Sequence, residues 1–187
     1  EAGGIAPLVE LLRAGGGSQA AVKAAGALWN LAVGNQTNRD AIREAGGIAP
    51  LVEVLRAGGE SQAAADAAGA LMNLAFSNPT NKNAIREAGG IAPLVELLRA
   101  GGGSQAATYA AGALKNLSKN NHSNPYAIRE AGGITPLVEL LRAGGESFAA
   151  FYAAEALQNL TYDTPAGAAT VLAAVAADGA PPLEPFV

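Results

Sequence analysis

The sequence predicts an all-α protein, a superhelical solenoid built from stacked three-helix units. Three observations predict it. The stretch Ala25-Gly26-Ala27-Leu28-Trp29-Asn30-Leu31 returns as Ala68-Gly69-Ala70-Leu71-Met72-Asn73-Leu74, as Ala111-Gly112-Ala113-Leu114-Lys115-Asn116-Leu117 and as Ala154-Glu155-Ala156-Leu157-Gln158-Asn159-Leu160, always at a step of 43 residues. Self-similarity at a period of 20–50 residues marks a solenoid or an array rather than a sum of globular domains. Residues 1–43 and 44–86 lie over each other without a gap, with 33 of 43 positions identical. Half of the residues are apolar but only 5% are aromatic, and the Gly and Ala that make up the difference suit closely stacked helices.

Each unit reads in three parts. The first is a short helix over 37–45, where Thr37 and Asp40 resemble a capping box with Asp in the place of Glu or Gln. In the third copy Asn124 is the expected N-cap, with Pro125 at the first helical position. Gly46-Gly47 stops this helix, because glycine tolerates the left-handed conformation of a helix end. The second part begins at Ile48, and Pro50 suits its first turn, where the missing N–H is not needed. Its apolar residues Ile48, Leu51, Val52 and Leu55 fall at i, i+3, i+4 and i+7, one helix face. The third part starts at an N-cap, Ser61, and runs to about Ala75; it is the longest helix and carries the Asn. One unit cannot bury its own apolar face, but stacked neighbours can.

The expected organisation is a single domain over 1–187: a partial repeat at 1–34 lacking its first helix, repeats at 35–77, 78–120 and 121–163, and a truncated repeat at 164–187. In the last, Ala166 to Ala177 is an Ala-rich first helix, and Ala180-Pro181-Pro182-Leu183 aligns with Ile48-Ala49-Pro50-Leu51. Neither end carries the polar outer face of a natural cap. The chain is therefore expected to be a piece of a longer array, prone to end-to-end self-association. The repeats drift, which argues against a consensus design.

Several function classes are disfavoured. The net charge is −4, so the basic footprint of a nucleic-acid binder is missing. No apolar run reaches the length of a membrane span, and no signal peptide is visible. The chain has no Cys, which excludes thiolate chemistry and is consistent with a cytoplasmic or nuclear setting. His122 is the single His, so no cluster of several His can hold a metal within one chain. Gly-Gly-Gly-Ser at 15–18 and 101–104 lacks the Lys of a phosphate-binding loop. Glu10, Glu53, Glu96 and Glu139 recur with Arg13, Arg56, Arg99 and Arg142 three residues on, and read as surface ion pairs worth a few tenths of a kcal/mol. No enzyme activity, cofactor or metal is expected.

The run Ala-Ile-Arg-Glu-Ala-Gly-Gly-Ile-x-Pro-Leu-Val-Glu-Leu-Leu, followed by Ala-Gly-Ala-Leu-x-Asn-Leu, resembles the armadillo repeat, and it recurs in register over nearly the whole chain. The resemblance implies a right-handed superhelix whose third helices line a concave groove. In members that bind extended peptides, the Asn of the third helix clamps the peptide backbone; by match these are Asn30, Asn73, Asn116 and Asn159. An Asn amide offers both donors and an acceptor, so it can pair with a peptide N–H and C=O without reading side chains. In the nuclear import adaptors of the family a Trp stands four residues before the Asn. Here that position holds Gly26, Gly69, Gly112 and Glu155, and Trp29 sits one residue before its Asn, about 100° round the helix. In this the chain is more similar to the catenin, vacuolar-anchor and plant or protist armadillo proteins.

The repeats differ most along the third helix. Seven residues before the Asn stand Lys23, Asp66, Tyr109 and Tyr152; three after it stand Val33, Phe76, Lys119 and Tyr162; four after it stand Gly34, Ser77, Asn120 and Asp163. On a continuous helix these share the Asn face, so they are candidates for side-chain selectivity, with surface drift as the alternative. Phe148, Phe151 and Tyr152 cluster in the fourth unit, where Glu155 replaces Gly. Phe148 is expected to pack against the next layer. The candidate peptide-binding set is thus Asn30, Asn73, Asn116, Asn159, Lys23, Asp66, Tyr109, Tyr152, Phe76 and Glu155. The leading reading is a protein-binding module holding an extended peptide of a partner. The other is a structural scaffold contacting partners through its ends or convex face.

Overall fold

The computed structural model describes residues 2–15, 18–58, 61–100, 104–143, 147–161 and 165–176. They are almost wholly helical, and among them there is no strand. A short 3-10 turn, Ala2–Gly4, leads into α1 (Ile5–Ala14) and α2 (Gln19–Ala32). Three-helix units follow: α3 (Gln36–Glu44), α4 (Ile48–Gly58) and α5 (Gln62–Ala75); α6 (Pro79–Glu87), α7 (Ile91–Ala100) and α8 (Gln105–Ser118); α9 (Ser123–Glu130), α10 (Ile134–Ala143) and α11 (Phe148–Thr161). The last element is α12 (Pro165–Ala176). The second helix expected beyond Ala180 lies outside the described residues.

The third helices α2, α5, α8 and α11 stack on one another in order, and α1, α4, α7 and α10 form a parallel row outside them. Small side chains make this close stacking feasible: Ala24, Ala25, Ala67, Ala68, Ala110, Ala111 and Ala153 are all buried between third helices and their neighbours. Larger residues fill the seams at repeating positions, with Leu28, Leu71 and Leu114 fully buried, as are Ile42, Ile85 and Ile128. Each unit therefore completes its core with residues of the next, which is why an isolated unit would leave part of its apolar surface uncovered.

The helix ends follow simple local chemistry. Ser18, Ser61 and Ser104 each cap a third helix, accepting from the backbone N–H three residues on. The first helices end in a left-handed glycine: Gly46, Gly89 and Gly132 have φ of 72°, 73° and 72°. The Gly46 N–H donates to Arg43 O and the Gly47 N–H to Ile42 O, the paired bonds of a Schellman stop. Into this stop the preceding unit sends an arginine. Arg13 Nη2 donates to Ala45 O at 3.2 Å, Arg56 Nη2 to Ala88 O at 3.3 Å and Arg99 Nη2 to Ala131 O at 3.3 Å. Each of these arginines also pairs with the Glu three residues before it. They are thus inter-unit ties as well as surface ion pairs.

The start of the first helix differs from the sequence expectation. Asn35, not Thr37, is the N-cap of α3, accepting from the Asn38 N–H at 3.0 Å. Asn78 does the same for α6, ahead of Pro79. In the third unit Asn121 accepts from the N–H groups of Ser123 and Asn124, and Asn124 lies inside α9. The reason lies just upstream. The chain turns through a left-handed residue, Gly34, Ser77 or Asn120, and the next residue is then poised to cap. Asp40 is no capping-box partner; it pairs with Arg43 at 2.9 Å and accepts from Asn78 Nδ2 at 2.9 Å. The Asn78 hydrogen bond is the main reason the Asp40 carboxyl titrates below its ordinary range.

Candidate functional site

The same turn changes the candidate face. The third helices end at Ala32, Ala75 and Ser118, and Val33, Phe76 and Lys119 are already extended. The residues three and four after each Asn are therefore not on the Asn face of a continuous helix, as the sequence led one to expect. Phe76 is half exposed with its ring 5.3 Å from the Arg39 guanidinium, and its carbonyl accepts from Arg39 Nη1 at 3.1 Å. Tyr162 and Asp163 lie outside the described residues.

The four Asn do occupy equivalent places on successive third helices, but they are not free. Asn73 Nδ2 lies 3.5 Å from Trp29 O, Asn116 Nδ2 2.8 Å from Met72 O and Asn159 Nδ2 3.3 Å from Lys115 O. Each donor thus reaches back to the carbonyl just before the preceding Asn. Asn159 also donates to Ser118 Oγ at 3.2 Å. Asn30 is exposed and makes no such bond among the described residues. Since an Asn amide has two N–H donors and a two-lone-pair oxygen, Asn73 and Asn116 keep one N–H and Oδ1 in reserve.

Between the Asn, side chains of three successive units meet over a glycine. Trp29 of α2 lies across Gly69 of α5, so close that a Cβ there would sit 3.0 Å from the indole ring. From the other side Tyr109 of α8 reaches the same spot, its ring centroid 4.9 Å from that of Trp29. One unit on, a Cβ on Gly112 would meet Met72 Sδ at 2.5 Å and Tyr152 at 3.2 Å. At the first position, Asp66 Oδ2 lies 3.0 Å from a Cβ placed on Gly26. Trp29 thus meets the neighbouring helix. The helical angle carries it sideways onto the neighbouring helix, where the missing side chain of Gly69 makes room.

The fourth unit replaces this glycine with Glu155, and a charge fills the space. Lys115, the counterpart of Trp29 and Met72, pairs with Glu155 at 2.6 Å. Its ammonium also lies 5.3 Å from the Phe151 ring and 5.2 Å from the Tyr152 ring. Tyr152 stacks with Phe148 and Phe151 at 6.3 and 5.8 Å. Phe148, expected to pack against the next layer, is 75% exposed among the described residues. Lys23 is exposed on α2, and Asp66 accepts from Gln62 Nε2 at 2.7 Å.

A second Asn series escaped the sequence reading. Asn81 is fully buried; its Nδ2 donates to Leu74 O at 3.0 Å and Arg39 O at 3.3 Å, while its Oδ1 accepts from Arg43 Nη1 at 3.1 Å. Asn124 repeats this with Leu117 O, Lys82 O and Arg86. Asn38, in the first copy, donates to Leu31 O at 2.8 Å. Gly167 stands at this position in the fourth copy, and there Arg129 Nη1 donates to Leu160 O at 2.9 Å in the amide's stead. The signal was legible: the series recurs at the same 43-residue step, beside a position that varies as Arg39, Lys82 and Pro125.

Among the described residues no group of three or more His, Cys, Asp or Glu converges as a metal site, and no helix is long and apolar enough to cross a membrane.

The stacked three-helix units, with their buried cross-unit ties and a repeated inner face, define an α-solenoid repeat protein. The armadillo/beta-catenin-like repeat family model matches residues 35–76 and 78–119. Among solved structures the chain is similar to an engineered protein, with a TM-score of 0.83 and 32% identity over 94% of this chain and 71% of that one. It is also similar to a designed armadillo repeat protein in complex with the peptide (KR)4, with a TM-score of 0.82 and 29% identity over 94% of this chain and 72% of the other. A third is a computationally designed armadillo repeat protein for modular peptide recognition, with a TM-score of 0.81 and 26% identity over 91% and 70%. No curated protein sequence matches. The chain belongs to the armadillo repeat family.

Proposed function

We propose that this chain is a non-enzymatic protein-binding module that holds an extended segment of a partner along the face carrying Asn30, Asn73, Asn116 and Asn159. The observation that carries this reading is the reserve on the ladder amides. After the inter-unit bond, Asn73 and Asn116 each retain an N–H and Oδ1, and Asn30 retains its whole amide. A peptide backbone presents the complementary C=O and N–H. Two of the structural relatives are described as binding or recognising peptides, which supports the same use here. The residues over the glycines, Asp66, Tyr109, Met72 and Tyr152, would then give side-chain selectivity.

One observation favours the alternative that the ladder is purely structural: three of its four members already bond a neighbouring helix. Asn30 separates the two readings, because its removal costs no inter-unit bond. Wild type and Asn30→Ala would be screened against a random ten-residue peptide library. Selected peptides that bind the wild type and bind Asn30→Ala several-fold more weakly, with an unchanged circular dichroism spectrum, support the groove. Equal binding by the two proteins, or no binding by either, sinks it in favour of contacts through the ends or the convex face.

A further inference from the structure

A cleft of about 490 Å³ opens between the turn after α8 and the outer part of α11, lined by Lys119, Asn120, His122, Glu155, Gln158 and Asn159 among others. Its volume is in the range that takes a side chain or a short segment. Its lining residues are all polar or charged, and their charge is not balanced. Glu155 is the carboxylate of the lining, and Lys115 already pairs with it at 2.6 Å. Lys119, exposed at the rim, has no carboxylate within ion-pair reach among the described residues. Behind it Lys82 is buried and donates its ammonium to the Lys119 carbonyl, again with no carboxylate partner. Burial, and then the charge of Lys119, hold the Lys82 ammonium below the usual lysine range. Two cations therefore sit together with no carboxylate partner among the described residues, in a chain whose net charge is −4. Amides that can donate, those of Asn120 and Gln158, stand around them.

We propose that this cleft accepts an anionic side chain, a carboxylate or a phosphate, of the extended partner segment, with Lys119 as the pairing cation. The proposal rests on the groove reading above and adds the chemistry of one position along it. It also sets the register of the segment. One unit earlier Phe76 stands in place of Lys119 and Gly112 in place of Glu155, and two units earlier Val33 stands in place of Lys119, so the same preference is not repeated down the face. Asn159, one of the lining residues, ties this position to the ladder.

The test uses the full chain and ten-residue peptides of Ser, Thr and Val that carry a single Glu, phosphoserine, Gln or Lys at each position in turn, read by fluorescence anisotropy. At one position the Glu and phosphoserine peptides are expected to bind about two- to fivefold more tightly than the Gln peptide, the range of a partly exposed ion pair. The preference should shrink as salt is raised. Lys119→Ala should abolish it and Lys119→Glu should turn it towards the Lys peptide; both change an exposed side chain only, and circular dichroism checks the fold. A larger gain for phosphoserine than for Glu assigns the cleft to phosphate; equal gains assign it to any anion. Peptides that bind with no preference for the anion, or a preference that survives Lys119→Glu, overturn the cleft proposal and leave the groove standing. Absence of binding by every peptide overturns both.

Discussion

The chain carries two Asn series at the same 43-residue step, and they differ in how much of each amide the fold uses. Asn81 and Asn124 are fully buried, and both ends of each amide are in use, holding two carbonyls and an arginine from neighbouring helices. Asn73 is half-buried and Asn116 is 9% exposed, and each makes a single bond, leaving the oxygen without a protein partner among the described residues. Recurrence by itself does not separate a residue that holds the array together from one that is presented to a ligand. The difference is how much of the amide's bonding capacity the fold consumes. A buried polar group must be fully paired, since an unmade bond costs about 1–3 kcal/mol. A face that is to bind something must instead keep capacity in hand.

The largest test of this contrast is Asn81→Ala. It strips partners from Leu74 O, Arg39 O and Arg43 at once. A loss of about 3 kcal/mol is expected in urea unfolding, against about 1 kcal/mol or less for Asn73→Ala, whose one bond is long. Equal losses would erase the distinction. Next, Arg129→Ala should cost about 2 kcal/mol, because this charged donor serves Leu160 O where the other units use an Asn. If Arg129→Ala proves neutral, the substitution of arginine for amide is incidental.

Smaller effects come from the glycines of the inner face. In mid-helix, Gly→Ala gains about 1 kcal/mol in propensity. Gly26→Ala should realise most of it, because the obstructing group is the end of a half-exposed Asp66 side chain. Gly69→Ala should realise little, because the Trp29 ring must move and loosen its contact with Tyr109. Trp29 is the single Trp, so its emission reports the displacement directly; an unchanged spectrum in Gly69→Ala would contradict the packing described. The smallest effect on stability belongs to Asn30→Ala, under about 0.5 kcal/mol for an exposed side chain with no partner, while peptide binding drops.

Much of this was legible in the sequence. The three-helix unit, the serine caps of the third helices and the glycine stops of the first follow from residue types and spacing, because they are settled by backbone chemistry within one turn. The caps of the first helices were misread by two residues or more, since Asn35, Thr37 and Asn38 are all plausible caps in isolation. Only the left-handed turn upstream decides among them. The Arg13, Arg56 and Arg99 ties were read as local ion pairs because their second partners lie 32 residues away.

The sequence by itself determined the repeat, the class of fold and which residues recur at each helix position. Those depend on periodicity and local propensity, which a one-dimensional pattern records in full. Only the tertiary structure decided which Asn is fully bonded, that Trp29 leans over Gly69 to meet Tyr109, and that Lys115 pairs with Glu155 while Lys119 has no carboxylate partner among the described residues. These depend on how far one helix is displaced across its neighbour. That displacement is set by the summed packing of Ala, Leu and Ile between units, a property of the stack that no single repeat contains.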